Sequence, residues 1–328
     1  MRWGPFSSAP KRGRLALLAK SALRVLPPVA DALAWGRPIV ALESSVLAQG
    51  LPIPANRDAS DRMTSAAARA GALAAVTGVV QGICTLGLDH AELERFLARD
   101  GVRKVSARDL PVAMAQRVDG ATTVAATLTI ASAAGATVFA TGGIGGAHRD
   151  APFDESADLL ELARTPMIVV CAGAKSILDL SATLERLETL GVTVVGYRID
   201  ELPGFFTRTT GLKLPARADS PREIADIFRA ARILGRSQAT LVVQPPPADV
   251  ALDAALVDRA VDSALDEARA SGIRGAAVTP FLLAAVERAT EGRSLQANLG
   301  LLEENAFLAG QIAAELAHTS DDPDGGPR

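Results

Sequence analysis

The sequence predicts an α/β fold with a largely parallel central sheet flanked by helices on both faces, an α/β/α arrangement. Short apolar runs of strand length alternate with longer amphipathic stretches over most of the chain. The 328 residues are 48% hydrophobic with a mean hydropathy of +0.21, enough to bury a full core. No internal repeat interrupts the pattern, and general alanine richness is the one compositional bias.

Taken in order, Pro38 to Ser44 is an apolar run closed by polar residues, and Asn56 to Ala72 has helical spacing. Two β-like stretches follow, Ala74 to Val80 and Gly82 to Leu86, then a charged helix over His90 to Arg99. Lys104 to Ser106 leads into a helix after Asp109, and Thr122 to Ala134 is helical. Strands are expected at Thr137 to Thr141, Met167 to Ala172, Thr193 to Tyr197 and Thr240 to Gln244. Helices are expected over Ser156 to Arg164, Ser176 to Leu190, Pro221 to Leu234, Leu252 to Ala270, Pro280 to Thr290 and Ala297 to Ala317. In a sheet of this kind ligands gather at the carboxyl ends of strands. Glu43, Gly142 to Gly146, Lys175 and Asp200 all fall at such ends.

A net charge of -3 and a pI near 5.7 argue against a partner that is polymeric nucleic acid, which calls for a basic surplus. Cys84 and Cys171 both lie in apolar runs, so the expectation is two buried thiols in a reducing, cytoplasmic setting. No uninterrupted apolar stretch reaches the roughly 18 residues of a membrane span, so no membrane partner is expected and the chain reads as soluble. Residues 1–35 read as a basic, flexible extension, with Arg2, Lys11, Arg12, Arg14, Lys20 and Arg24 preceding the first acid, Asp31. Residues 36–318 read as one folded domain that would carry any catalytic site, and residues 319–328 read as a disordered tail.

Lysine is scarce: besides Lys175 the chain has Lys11, Lys20, Lys104 and Lys213. A lysine where a buried strand meets a helix points to amine chemistry, which the permanently protonated guanidinium of arginine cannot supply. Glu43, ending the apolar run Ile39 to Leu42, is a carboxylate that is costly to bury unless paired or used. The glycine cluster from Gly142 to Gly146, with His148 and Arg149 beyond it, fits either an anion cradle or a plain tight loop. Ser156 and Asp158 fit ordinary helix-start chemistry, while Asp154 in the preceding loop also fits a hard-cation ligand. Gly120 to Thr127 opens a helix with small residues, and Lys104 stands as a lone charge between apolar neighbours.

Together and in this order, these segments resemble the pseudouridine-5'-phosphate glycosidase family from Pro38 to Ala313. The matching stretches are Ala41–Ser45, Lys104–Asp109, Gly120–Thr127, Phe139–Gly146 with His148 and Arg149, Phe153–Leu159, Val169–Asp179, Thr279–Leu283, and Gly292–Leu295 with Asn298. The resemblance implies that Lys175 is the nucleophile and Glu43 the proton donor. It implies substrate binding by Lys104, Val124, Ser156, Ala157 and Asp158, with His148 and Asn298 as further pocket residues. It also implies Asp154 as the ligand of a divalent cation, Mn2+, and a homotrimeric assembly. The implied activity is the reversible cleavage of pseudouridine 5'-phosphate to uracil and D-ribose 5-phosphate, small molecules all.

That chemistry explains the lysine. The base is attached through carbon, which has no lone pair to protonate, so the usual two-carboxylate route of glycosidases fails. An amine attacking C1' while Glu43 protonates the ring oxygen opens the sugar, and the nitrogen lone pair then expels the base to leave a Schiff base. A second cation, Lys104, is expected to help keep the nucleophile unprotonated. The chain departs from its look-alikes at Gln49, where histidine is usual, at Ser45, commonly threonine, and at Glu155, usually apolar. The alternatives are a Schiff-base phosphosugar lyase or aldolase, and a catalytically silent phosphosugar- or nucleotide-binding protein.

Overall fold

The computed structural model describes residues 23–149, 153–273 and 278–318. Within them the chain opens with β1 (Leu23–Val25) and α1 (Pro27–Ala34). Residues 23–35 are therefore part of the folded body and not of an extension. β1 runs parallel to β4 (Ile83–Leu86), with Leu23 opposite Cys84, and α1 buries Val29 and Ala32. A three-residue strand is too short to show a period of two, which is why basic composition dominates that stretch of sequence. Residues 1–22 and the tail 319–328 lie outside the described residues.

The middle of the sheet is built from β2 (Ile39–Leu42), β3 (Leu73–Val80), β7 (Val138–Ala140), β9 (Ile168–Cys171), β11 (Thr193–Tyr197) and β13 (Thr240–Val243). Every residue of β2, β7, β9 and β13 is buried, as continuous apolar runs must be when helices cover both faces. The order is β1-β4-β3-β2-β7-β9-β13-β11-β12, with β12 at Arg217–Ala218. β5 (Arg103–Val105) and β6 (Gly120–Thr122) branch from β3. Pairings are parallel except where β3 meets β4 and β6. β3 turns into β4 through Gln81 and Gly82, both at positive φ.

The helices are α2 (Ala55–Arg69), α3 (His90–Ala98), α4 (Leu110–Gln116), α5 (Val124–Ala133), α6 (Ala157–Arg164), α7 (Leu180–Thr189), α8 (Pro221–Ile233), α9 (Ala254–Ala270), α10 (Val278–Ala289) and α11 (Arg293–His318). α11 packs on α2 and α8 and crosses β2, β7 and β9, whereas α5 pairs with α6 against β2, β3 and β4. The helix expected from Ser176 begins only at Leu180. Asp179 caps it through Ala182 N, and Leu178–Asp179 forms β10, antiparallel to β8 (Ala147–His148). Thr122 belongs to β6, and Thr123 caps α5.

From β2 the chain moves one way to β3 and later returns on the other side of β2 as β7. The strand order reverses between β2 and β7, and a crevice opens at such a point outside the carboxyl ends. Glu43 follows β2 directly, Thr141 follows β7, and Lys175 follows β9 by four residues. Asp200, also near a strand end, lies apart: its carboxylate is exposed and pairs with Arg217 at 2.8 Å.

Candidate active site

Glu43 is 6% exposed at the switch point. Ser45 Oγ donates to its Oε2 at 2.8 Å and Thr141 Oγ1 to its Oε1 at 2.5 Å. Burial raises its pKa above the ordinary carboxylate value, while the nearby Lys175 charge and the two hydroxyls pull the other way and Asp158 adds a smaller upward push. The net direction is upward, which favours a protonated carboxyl that can give a proton away.

Lys175 reaches the same place through backbone geometry. After β9 the chain turns at Gly173, φ +88°, where a Cβ would come within 2.6 Å of Pro203 O, so only glycine fits. Lys175 N then donates to Ile144 O at 3.1 Å and its carbonyl accepts Leu178 N at 3.0 Å, fixing the residue half-buried above the sheet. Lys104, from β5, opens onto the same crevice. The cleft walls first, and then the Lys175 charge, push its amine below the ordinary lysine value, with Glu43 and Asp158 opposing.

Two lobes diverge from Glu43, Ser45, Lys104 and Lys175. One, of about 120 Å³, is polar and lined by Ser106, Thr123, Val124, Gly145, His148 and Ser156, so that the amino ends of α5 and α6 converge on it. The other, of about 270 Å³, is bounded by Gln49, Phe205, Phe206, Leu283, Leu295 and Asn298. Two buried acceptors of residues bounding this second lobe, Gln49 Oε1 and Asn298 Oδ1, have no hydrogen-bond partner among the described residues.

Of the expected site residues, Glu43, Lys175, Lys104, Val124, Ser156, Asp158, His148 and Asn298 come together around these lobes. Asp158 is 5% exposed, and its carboxylate is already used: Oδ1 accepts Ala125 N at 2.9 Å and Oδ2 accepts Gly145 N at 2.8 Å. It clamps the glycine loop to the head of α5, and a side chain on Gly145 would overlap Ser156. Ala157 is exposed, and neither it nor Asp154 lines a lobe. Asp154 is exposed too, and Glu155 beside it pairs with Arg186 at 2.9 Å. Among the described residues no three His, Cys, Asp or Glu side chains stand together as a metal centre. Cys171, beneath this crevice, is fully buried with its thiol pushed up to about 12, which removes it as a nucleophile.

Residues 28–315 match the family described as indigoidine synthase A like protein. The chain is 65% identical over 293 residues to the pseudouridine-5'-phosphate glycosidase of Gemmatimonas aurantiaca, covering 89% of this chain and 96% of that one. The protein of the same name from Herpetosiphon aurantiacus is 49% identical, over 90% of this chain and 98% of its own. The chain belongs to the pseudouridine-5'-phosphate glycosidase family. Solved structures agree in fold. A prealnumycin C-glycosynthase in complex with ribulose 5-phosphate is 39% identical at a TM-score of 0.85, covering 91% of this chain and 98% of that one. An indigoidine synthase A-like protein from Thermotoga maritima is 34% identical at 0.82, covering 90% and 96%.

Against this family membership, the structure adds residues that the motifs did not single out. Thr141 and Ser45 sit inside quoted motifs, yet nothing in their spacing says that they hold Glu43. Phe205 and Phe206, ring centroids 4.6 Å apart, wall the larger lobe. Their one sequence signal is an aromatic pair in a chain only 4% aromatic. No helix of the described residues is long and apolar enough to cross a membrane.

Proposed function

We propose that the chain catalyses the reversible cleavage of the C–C glycosidic bond of pseudouridine 5'-phosphate, through a Schiff base on Lys175. The observation that carries this proposal is the pairing of a lysine with a buried, proton-favouring carboxyl where two chemically different lobes meet. The polar lobe, with Lys104, His148 and two helix amino ends, suits the ribose phosphate. The larger lobe suits the base, whose two N–H groups match acceptors of the kind offered by Gln49 and Asn298.

In this mechanism the Lys175 amine bonds to C1' while Glu43 gives its proton to the ring oxygen, and the C1'–O4' bond breaks. The ammonium so formed gives a proton back to the Glu43 carboxylate. The freed nitrogen lone pair forms the imine as the C1'–C5 bond breaks, its electron pair passing into the uracil ring and C5 taking up the proton returned by Glu43. Water adds to the imine, releasing ribose 5-phosphate and the free amine. A second free carboxylate, as in ordinary glycosidases, is not supplied by Asp158, whose two oxygens already accept backbone amides.

For the divalent cation, Asp154 offers one exposed carboxylate and Glu155 is engaged by Arg186, a donor set that fits a largely hydrated ion and not a protein cage. Mn2+ held by Asp154 would supply positive charge toward an anionic substrate. We infer that the chain works as a homotrimer in the cytoplasm, and light scattering on the purified protein reads the first of these.

Incubation with uracil, ribose 5-phosphate and Mn2+ is expected to yield pseudouridine 5'-phosphate, detected by mass and by resistance to acid hydrolysis. Folded, metal-supplied protein that gives no product in either direction would overturn the assignment, and cleavage of a sugar-phosphate carbon–carbon bond instead would point to a lyase. Lys104→Ala is expected to raise KM for ribose 5-phosphate by about 10-fold, one charge-assisted contact. An unchanged KM would remove Lys104 from the phosphate site.

A further inference from the structure

Deep behind Glu43 lies a chain of side-chain amides that the chemistry above does not use. Asn305, on α11, is 1% exposed, and its Nδ2 donates to Thr141 O at 2.8 Å. The same nitrogen lies 3.5 Å from Gly142 O. Its Oδ1 accepts Gln244 Nε2 at 2.9 Å, which fixes which way the amide faces. Gln244, 8% exposed, follows β13 and is itself anchored by its backbone N to Cys171 O at 3.1 Å.

Thr141 is where β7 leaves the sheet. Its N donates to Val170 O at 3.0 Å, and its buried carbonyl is met by Asn305. With the peptide held on both sides and a β-branched side chain of few rotamers, the Thr141 hydroxyl has little choice of direction, and it falls on Glu43 Oε1 at 2.5 Å. Ser45 holds the other oxygen from within the segment of Glu43 itself. The Thr141 contact is different, because it comes from the neighbouring strand across the switch point and depends on tertiary support.

We propose that Asn305, oriented by Gln244, is a positioning residue that keeps the Thr141 hydroxyl on the Glu43 carboxyl. The role rests on the assignment of Glu43 as the proton donor, although the geometry it controls is independent of turnover. The other groups facing Glu43 are Ser45, Lys175, Asp158 and Lys104, and none of them touches Asn305 in the hydrogen-bond network of the described residues. Loss of the amide leaves a buried carbonyl unpaired and frees the Thr141 peptide to tilt.

The test is a cycle of Thr141→Val, Asn305→Leu and the double variant in the full-length protein. The Glu43 carboxyl titration is followed by carbon-13 NMR, assigned by its absence in Glu43→Gln, alongside kcat, KM and the pH profile. Each single variant is expected to move the Glu43 titration to higher pH, because a hydrogen bond to the ionised form is lost. Each should lower kcat by about 10-fold to 100-fold with KM for ribose 5-phosphate little changed. The double variant should move the titration no further than Thr141→Val alone. An unmoved titration in Asn305→Leu, or shifts that simply add, would overturn the proposal. Should Asn305→Leu fail to fold, Gln244→Leu carries the test, with the same direction and a smaller shift expected. Because the titration needs no substrate, inactive wild-type protein would count against the glycosidase assignment while the positioning role was still read.

Discussion

Lys175→Ala is expected to abolish turnover, by at least about 10⁴-fold in kcat, while the protein stays folded. Removal of the side chain leaves the loop in place, because its course is set by backbone bonds: Lys175 N to Ile144 O, Leu178 N to Lys175 O, and the positive-φ turn at Gly173. Melting temperature and circular dichroism should therefore stay close to wild type. Borohydride added to wild-type protein with ribose 5-phosphate should trap a stable adduct, and peptide mapping should place it on Lys175. Recovery of the adduct on Lys104, the lysine whose amine the cleft pushes downward, would transfer the nucleophile to β5. Turnover close to wild type in the alanine variant, with no adduct trapped on either lysine, would sink the covalent route altogether.

Glu43→Gln has the second large effect, an expected fall in kcat of about 10²-fold to 10⁴-fold, the usual reach of a general acid. The amide keeps the shape and still accepts from Thr141 Oγ1, so the loss is of the proton and not of packing. Stability should respond in the opposite sense. Glu43 has a folded pKa raised above its unfolded value, so its contribution is full below the unfolded glutamate pKa and is lost as pH rises through the folded one. Glutamine carries no such loss. The melting temperature of the variant should therefore gain on wild type as pH increases through that window. Parallel curves for the two proteins would show that the carboxyl titrates alike folded and unfolded, contrary to the burial that surrounds it.

Much of this arrangement was legible in the sequence because it rests on local signals. Ile39–Leu42, Ile168–Cys171 and Thr240–Val243 are apolar runs of strand length, and each forms a buried strand. Glu43 stood out because charge at the end of such a run is costly. Lys175 stood out because lysine is scarce in this chain and an amine at a strand–helix junction suits nucleophilic chemistry. The helix start at Ser156 carries the expected capping side chain, and Thr123 and Asp253 turn out to cap their helices in the same way. Basic composition places Leu23–Val25 in the N-terminal extension, and spacing makes Ser176–Asp179 helical. In both cases a two- or three-residue strand takes its conformation from a partner distant in sequence. Asp158 could not be told from an ordinary first-turn carboxylate until Gly145 and Ala125 were seen to share it.

By itself the sequence determined the α/β class and the family and pointed to Glu43 and Lys175, since periodicity, composition and ordered motifs are properties of neighbouring residues. Only the tertiary structure decided that β2 and β7 meet at the point where strand order reverses, so that Glu43 and Thr141, 98 positions apart, share a hydrogen bond. It alone divided the crevice into a polar and a larger lobe, and it alone placed Asn305 behind the acid. The physical reason is the same in each case. Burial and hydrogen-bond partners belong to pairs of residues brought together by the sheet, and no window of sequence contains both members of such a pair.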